Sequence, residues 1–391
     1  MKYNDFQGEK ISTLGFGLMR LPVIDGDQSK VDYAKVEEMV LYAIDHGINY
    51  FDTAYPYHAG ESEQVMGRIL KAYPRDSYFL ATKYPGHQIS DTYDPKKIFE
   101  RQLEKCDVDY FDFYLLHNVY ENSIKTYEDP KWGIIDYFLE QKRLGRIRHL
   151  GFSCHAGVDA LRGFLDRHAE EMEFCQIQLN YLDWTLQDAK TKVELLKEYG
   201  IPVWVMEPVR GGRLANLTPE QGNILRELRP NETPVDWCFR FLQGIGNVTV
   251  VLSGMSNLEQ MCANIAAFAE RKPLNDAEKS ALARIAEDMK DSVPCTSCGY
   301  CKAGCPMGLD IPKLIAAYNE IRFAPTTFSA MRIECMEDAE KPSACIGCGQ
   351  CAQICPQKIE IPEIMRTFDG MLQKIPTWAE VCRERNAAQK D

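Results

Sequence analysis

The sequence predicts a (β/α)8 barrel followed by a smaller, mainly helical domain that binds metal, and three observations predict it. Eight short β-branched and aromatic runs alternate with amphipathic segments over the first 272 residues. The 15 cysteines are unevenly spread: 10 lie between Cys295 and Cys382, and only Cys106, Cys154, Cys175, Cys238 and Cys262 come earlier. Eight of those 10 form two copies of one spacing pattern, offset by 50 residues. At 391 residues the chain has room for a barrel and an appendix, and 45% hydrophobic with 26% charged residues is ordinary globular composition.

Taken in order, the strand-like runs are 13–19, 48–54, 78–84, 110–117, 147–153, 174–180, 201–207 and 248–254. Their mostly continuous apolar character fits parallel strands buried on both faces. Between the first two lies VDYAKVEEMVLYAIDHG (31–47), in which Val36, Met39, Val40, Ala43 and Ile44 share one helix face and Gly47 ends the helix as a left-handed cap. Eight βα units in about 250 residues is what a closed barrel requires. A doubly wound open sheet is the alternative, but Gly15 and Gly17 lack the third glycine of a dinucleotide fingerprint. The predicted boundaries are 1–272 for the barrel, 273–294 for a helical connector and 295–391 for the cysteine-rich domain.

A barrel places its chemistry at the C-terminal ends of its strands. There the second run ends in Asp52-Thr53-Ala54 and leads into Tyr55, Pro56, Tyr57 and His58, the third ends at Lys83, and the fourth at His117. The segments NYFDTAYPYHAGESEQVMG (49–67), LATKYP (80–85), LLHNV (115–119) and GFSCH (151–155) resemble the aldo/keto reductase family over about residues 11–270. That family reduces carbonyls with nicotinamide cofactors on a (β/α)8 barrel. The resemblance implies Tyr57 as general acid, Lys83 as the ammonium that lowers the phenol's pKa, Asp52 as the partner fixing Lys83, and His117 as the donor that orients the substrate oxygen. Tyr55, His58 and Tyr84 read as loop or pocket-wall residues.

Phosphate sites in barrels sit at the loops after strands seven and eight. The loop EPVRGGRLAN (207–216) offers Arg210, Gly211, Gly212 and Arg213 to a pyrophosphate, and Ser256-Asn257-Leu258-Glu259 reads as a capping box opening the next helix. By resemblance, Ser153 and Gln178 hold the nicotinamide carboxamide, while Gly254, Gln260 and Asn264 hold the adenosine end. Two positions depart from the family: Met206 stands where an aromatic ring usually stacks, and Cys154 where Asn is frequent. Residues 253–264 contain no Lys or Arg to meet a 2′-phosphate, which leaves NADH and NADPH both open.

In the last part, Cys295-x2-Cys298-x2-Cys301-x3-Cys305-Pro306 recurs as Cys345-x2-Cys348-x2-Cys351-x3-Cys355-Pro356. In this spacing three thiolates of one loop bind a [4Fe–4S] cluster and the fourth binds the other cluster. The expected ligand sets are Cys295, Cys298, Cys301 and Cys355 for one, and Cys345, Cys348, Cys351 and Cys305 for the other. Paired zinc sites need neither the third cysteine nor the trailing proline. LDIPKLI (309–315) matches IEIPEIM (359–365), and the helical pattern over 311–324 resembles the α-helical ferredoxins. Cys335 and Cys382 fit neither run. Residues 273–294 predict a helix capped by Asn275 or Asp276, with Ala281, Leu282, Ile285 and Met289 on one face and Pro294 as its stop, docking the cluster domain on the barrel.

The net charge of −12 excludes a general affinity for nucleic acid or anionic membrane. No stretch of 18 apolar residues and no secretory signal is present, so a cytoplasmic protein is expected, where clustered cysteines bind metal rather than form disulfides. The leading function is NAD(P)(H)-dependent carbonyl reduction or alcohol oxidation, with two [4Fe–4S] clusters exchanging single electrons with a ferredoxin, another carrier, or the substrate. The alternative is an iron–sulfur redox-sensing or electron-transfer module with a vestigial barrel.

Overall fold

The computed structural model describes residues 1–289, 293, 295, 298–355 and 357–388. They form two compact units, 1–283 and 284–387, and the division falls inside the helix Asp276–Met289.

In the first unit an antiparallel hairpin of β1 (Tyr3–Phe6) and β2 (Glu9–Ser12) precedes eight parallel strands. These are β3 (Leu14–Gly17), β4 (Tyr50–Asp52), β5 (Phe79–Tyr84), β6 (Phe111–Val119), β7 (Ile147–Cys154), β8 (Cys175–Gln178), β9 (Val203–Met206) and β10 (Val248–Gly254), and pairing of β10 with β3 closes the barrel. Each strand lies within the run predicted for it, give or take two residues. The helix Tyr33–Asp45 starts at Asp32, whose side chain accepts from the Lys35 amide, and Gly47 follows it at φ +87°. Val36, Met39, Val40 and Ala43 are buried; Ile44 lies half-exposed at the edge of the stripe.

The hairpin was not legible as strands, because Tyr3–Ser12 alternates weakly and carries five charged or amide side chains. Its turn, Gln7-Gly8, has positive φ at both residues (+53° and +90°), the geometry of a two-residue hairpin loop. The hairpin supplies a plug for the barrel interior: Phe6 packs 5.1 Å from the Trp204 ring and 5.8 Å from Phe113, with Ile11, Phe174 and Val250 in the same core.

Asn275 caps the helix Asp276–Met289 by accepting from the Glu278 amide at 3.0 Å, and Arg229 grips Glu278 with a forked pair at 2.7 and 2.8 Å. Leu282, Ile285 and Ala286 are buried. Pro294, the expected stop, lies outside the described residues, as does Pro356.

The second unit is helical. Ile311–Phe323 and Ile361–Leu372 begin the two copies' equivalent helices, each with Pro in its first turn, and Leu314, Ile315, Ile321, Ile361, Met365 and Phe368 form its core. Thr327–Glu334 and Trp378–Ala388 complete it. The repeat extends to the backbone: Gly299 and Gly349 share φ near +77° (+78° and +76°), and Gly308 corresponds to Lys358, both left-handed. Among the described residues no helix is long and apolar enough to cross a membrane.

One polar cluster ties the hairpin to the barrel. Glu173 accepts from Gln7 (3.0 Å), His149 (3.1 Å), Lys142 (2.7 Å) and the Leu150 amide (2.9 Å), and the other nitrogen of His149 lies 3.2 Å from Glu9 of β2. Burial works to raise the Glu173 pKa, but these donors overcome it and hold it at about 2, against an ordinary 4.5. A depressed carboxyl stabilises the fold above its unfolded pKa and loses that contribution as pH falls toward its folded value. Denaturant unfolding should therefore show Glu173→Gln less stable than wild type at pH 7, on the order of 2 kcal/mol once solvent screening is allowed for. The gap should shrink as pH is lowered from 4.5 toward 2; a gap independent of pH contradicts this account.

Candidate active site and metal centre

The four strand-end residues meet. Lys83 on β5 is 1% exposed, and its Nζ lies 2.6 Å from Asp52 Oδ1 at the end of β4 and 2.6 Å from the Thr53 carbonyl. A buried ammonium is tolerated only when paired and hydrogen-bonded, and here both conditions hold. Tyr57, in the turn after β4, places its ring centroid 4.9 Å from Lys83 Nζ, and the His117 ring of β6 stands edge-on to it at 5.9 Å and 82°. The second carboxylate oxygen of Asp52 is buried and has no hydrogen-bond partner among the described residues.

The electrostatics differ from the expectation in one respect. Burial pushes the Tyr57 phenol above its ordinary value, and the Lys83 ammonium, pulling the other way, does not reverse it. The net shift is upward, because desolvating a phenolate costs more here than one shared ammonium returns. Burial opposes the charge on Lys83, but Asp52 and Tyr57 outweigh it, and the pKa of Lys83 is raised. Burial also raises the Asp52 carboxyl against the pull of Lys83. At 2.6 Å the charged pair is the state the geometry favours.

Several supporting residues escaped the sequence reading. Gln102, wholly buried, donates to the Lys83 carbonyl (3.1 Å) and to Glu63 (2.7 Å), while Tyr114 donates to Gln102 (2.5 Å). This network fixes the backbone that carries Lys83. His87, four residues beyond Lys83 in YPGHQ, is buried with its ring 4.3 Å from that of His117. Tyr127 donates to the His117 carbonyl at 2.6 Å. Of the neighbouring aromatics, Tyr84 is in the core against Phe138 (5.1 Å) rather than at a pocket wall, and His58 accepts from the Leu21 amide (3.2 Å).

At the other strand ends, Ser153 Oγ accepts from the Asn118 amide at 2.7 Å. Gln178 and Asn180 donate to Asp183 Oδ2 at 2.8 and 2.7 Å, and Arg210 donates to Asp183 Oδ1 at 2.5 Å. The sequence offered Arg210 as positive charge for a pyrophosphate; the fully buried Asp183 takes that charge, since a buried carboxylate requires a partner. Gly211 and Gly212 follow with φ of +63° and +91°. Met206 lies half-buried at the end of β9.

Arg20, at the end of the first barrel strand, was also missed. A Cβ on Gly254 would come within 3.2 Å of its side chain and one on Gly211 within 3.0 Å, while its guanidinium lies 3.4 Å from Glu207. The capping box is displaced by one residue: Asn257, not Ser256, caps the helix Leu258–Ala267, accepting from the Gln260 amide, and Gln260 Oε1 accepts from the Ser256 amide (2.9 Å). Asn is as good an N-cap as Ser, and Ser256 is occupied in donating to the Arg20 carbonyl (2.8 Å). Asn264 donates to Ser253 at 3.0 Å.

In the second unit two cavities are lined by cysteines in the crossed sets read from the spacing: Cys295, Cys298, Cys301 and Cys355 line one, and Cys305, Cys345, Cys348 and Cys351 the other. Burial pushes the Cys301 thiol up and the Cys351 thiol up to about 11, so these groups ionise against a compensating cation, as metal binding supplies. Four soft donors around each of two apolar cavities fit iron–sulfur clusters. Cys335 is half-buried and Cys382 buried, outside both cavities.

A parallel eight-stranded barrel with this strand-end set defines an oxidoreductase of the aldo/keto reductase kind, joined to an iron–sulfur module. The chain belongs to the aldo/keto reductase family, whose model matches residues 13–287, and the model of the 4Fe-4S dicluster domain matches 294–360. It is 25% identical to the NADH-specific methylglyoxal reductase of Escherichia coli over 326 residues, covering 72% of this chain and 96% of that one. To the L-galactose dehydrogenase of Arabidopsis thaliana it is 27% identical over 292 residues, covering 68% and 87%. The probable aldo-keto reductase 1 of Glycine max matches at 29%, with only 58% of its length covered. The holo form of an aldo-keto reductase from Bacillus halodurans superposes with a TM-score of 0.59 at 27% identity, covering 73% of this chain and 96% of that chain.

Removing the Asp183 carboxylate strands the buried Arg210 guanidinium. Asp183→Ala should cost about 3 kcal/mol or more, seen as a lowered Tm; a Tm unchanged from wild type would show that the network carries no energy.

Proposed function

We propose that the barrel interconverts a small carbonyl compound and its alcohol, and that the cysteine-rich unit holds two [4Fe–4S] clusters that exchange single electrons with a partner protein or the substrate. The observation that carries the first half is the buried Lys83–Asp52 pair set against the Tyr57 and His117 rings.

The nicotinamide, when bound, supplies or accepts the hydride at the carbonyl carbon. Ser153, Gln178 and Met206 would hold its ring end, and Gly211, Gly212, Gly254, Gln260 and Asn264, with Arg20, the rest of the nucleotide. The left-handed glycines and the close approach at Gly254 make a cradle that side chains would fill, which fits such a ligand. In the reductive direction Tyr57 gives its phenolic proton to the substrate oxygen. Its raised pKa keeps that proton in place at neutral pH, and Lys83 stabilises the phenolate left behind. Asp52 holds Lys83, and His117 donates a hydrogen bond that aims the substrate oxygen at Tyr57. Residues 253–264 carry no cation for a 2′-phosphate, but Arg20 lies against Gly254, so the proposal covers NADH and NADPH alike.

The clusters, when bound, supply one electron at a time, while hydride transfer moves two together. A one-electron carrier is therefore the partner class we assign, in a reducing compartment that keeps the thiolates available.

Under anaerobic conditions, NADH oxidation with a panel of carbonyl compounds should fall about 10²–10⁴-fold in Tyr57→Phe. The wild-type rate of reduction should stay flat through neutral pH and decline only above the ordinary phenol value of 10. Turnover indifferent to Tyr57, with either NADH or NADPH, overturns the enzymatic reading. Iron and sulfide at about eight each per chain support the clusters, and zinc without sulfide overturns them.

A further inference from the structure

The two cluster cavities come from one repeat, so each is a control for the other. Their cysteines, the left-handed Gly299 and Gly349 and the following helices correspond at an offset of 50 residues. What differs is the rim. The cavity of Cys295, Cys298, Cys301 and Cys355 is lined by Gln357, the one polar side chain other than cysteine among the described residues that line it. Fifty residues earlier stands Met307, which lines the cavity of Cys305, Cys345, Cys348 and Cys351, together with Ile346. Ile346 corresponds to Thr296, outside the described residues. Among the described residues no side chain lining this second cavity, apart from cysteine, is polar. Met307 and Ile346 are 42% and 64% exposed.

Charge adds to the contrast. Lys358 follows Cys355, a ligand of the first cavity, by three residues, and holds the left-handed position that Gly308 occupies in the other copy. Lys302, beside Cys301, adds little, since it is paired with Asp310 at 2.7 Å.

A cluster gains one negative charge when reduced, and hydrogen-bond donors or cations nearby stabilise that charge and raise the reduction potential, whereas an apolar rim does not. We propose that the rim residues make the two sites inequivalent: Gln357 poises the Cys295/Cys298/Cys301/Cys355 site as the electron acceptor, and Met307 with Ile346 poises the other as the donor. The inference rests on both cavities holding [4Fe–4S] clusters. One electron then leaves the donor site, oxidising it by one unit, and reduces the acceptor site by one unit, with no proton or bond change required.

An anaerobic redox titration of the full-length holoprotein, followed by electron paramagnetic resonance, tests this. Two one-electron waves should appear, with at least a tenfold preference for the acceptor site, which is 59 mV for a one-electron couple. Gln357→Met should lower the upper wave alone, Met307→Gln should raise the lower wave alone, and the double exchange should reverse their order. Met307 and Gln357 are exposed, and iron content with the visible spectrum checks that each variant keeps its clusters. Coincident waves in the wild type, or separate waves that neither substitution moves, overturn the proposal. Iron and sulfide well short of eight per chain overturn the reading beneath it instead.

Discussion

The constraint on which the barrel's chemistry depends is the burial of an ammonium. Lys83 has almost no contact with water, and a charge so placed survives only with a counter-charge and hydrogen bonds fixed within reach. Asp52 and the Thr53 carbonyl provide both, and each comes from the strand adjacent to that of Lys83. Parallel pairing of β4 with β5 and of β5 with β6 is what brings Asp52, Lys83 and His117 to the same end of the sheet. The Gln102–Glu63–Tyr114 network then holds the strand from behind. A one-residue slip of register would turn Lys83 to the opposite face and leave its charge without Asp52, so the site and the barrel specify each other.

The cysteine-rich unit is governed by a different constraint. Its core of Ile, Leu, Met and Phe is small and includes Cys301 and Cys351, whose thiols burial pushes up. In that setting metal coordination and folding are linked, because thiolate formation is favourable only with the cation present. The repeat makes the arrangement economical: one loop-plus-helix unit used twice gives two crossed ligand sets, each of which needs the other's fourth cysteine, so neither cavity is complete unless both copies have folded.

Much of this was legible in the sequence because the signals were periodic or fixed in spacing. Eight apolar runs located eight strands, and a 50-residue offset located two cavities down to which cysteine crosses over. What escaped depends on tertiary pairing. Nothing in the local pattern marks Asp183 as the residue that binds Arg210, 27 positions away, so a loop arginine looked available for phosphate. Arg20 lies close to Gly254 only because β10 pairs with β3 and closes the barrel. His87 resembles any loop histidine until β5 and β6 bring it beside His117. The hairpin was hidden because its strands are short and polar and what ties them to the fold, the burial of Phe6 and Ile11 and the polar contacts of Gln7 and Glu9, is tertiary. Tyr57 shows the limit of reasoning by charge alone: Lys83 lies beside its ring, but how far burial opposes that ammonium depends on three-dimensional packing.

On the proposed function the two halves of the chain are matched to different electron counts, and that mismatch shapes what the second half must do. Hydride chemistry at Tyr57 needs a proton supply and no radical; cluster chemistry needs a graded path for single electrons and no proton. Were both clusters in identical surroundings, an electron would have no preferred position between them, and the pair would store charge without directing it. A repeat that had merely been duplicated would give that result. Instead, the positions that diverge between the copies include those on the cavity rims, with an amide facing one cavity and a thioether and a branched alkyl group facing the other, while the cysteines, the glycines at 299 and 349 and the helix-opening Ile-Pro pairs stay the same. Divergence that reaches the cavity rims, over a scaffold of shared cysteines and Ile-Pro helix starts, is how the proposed separate roles arise from one repeat.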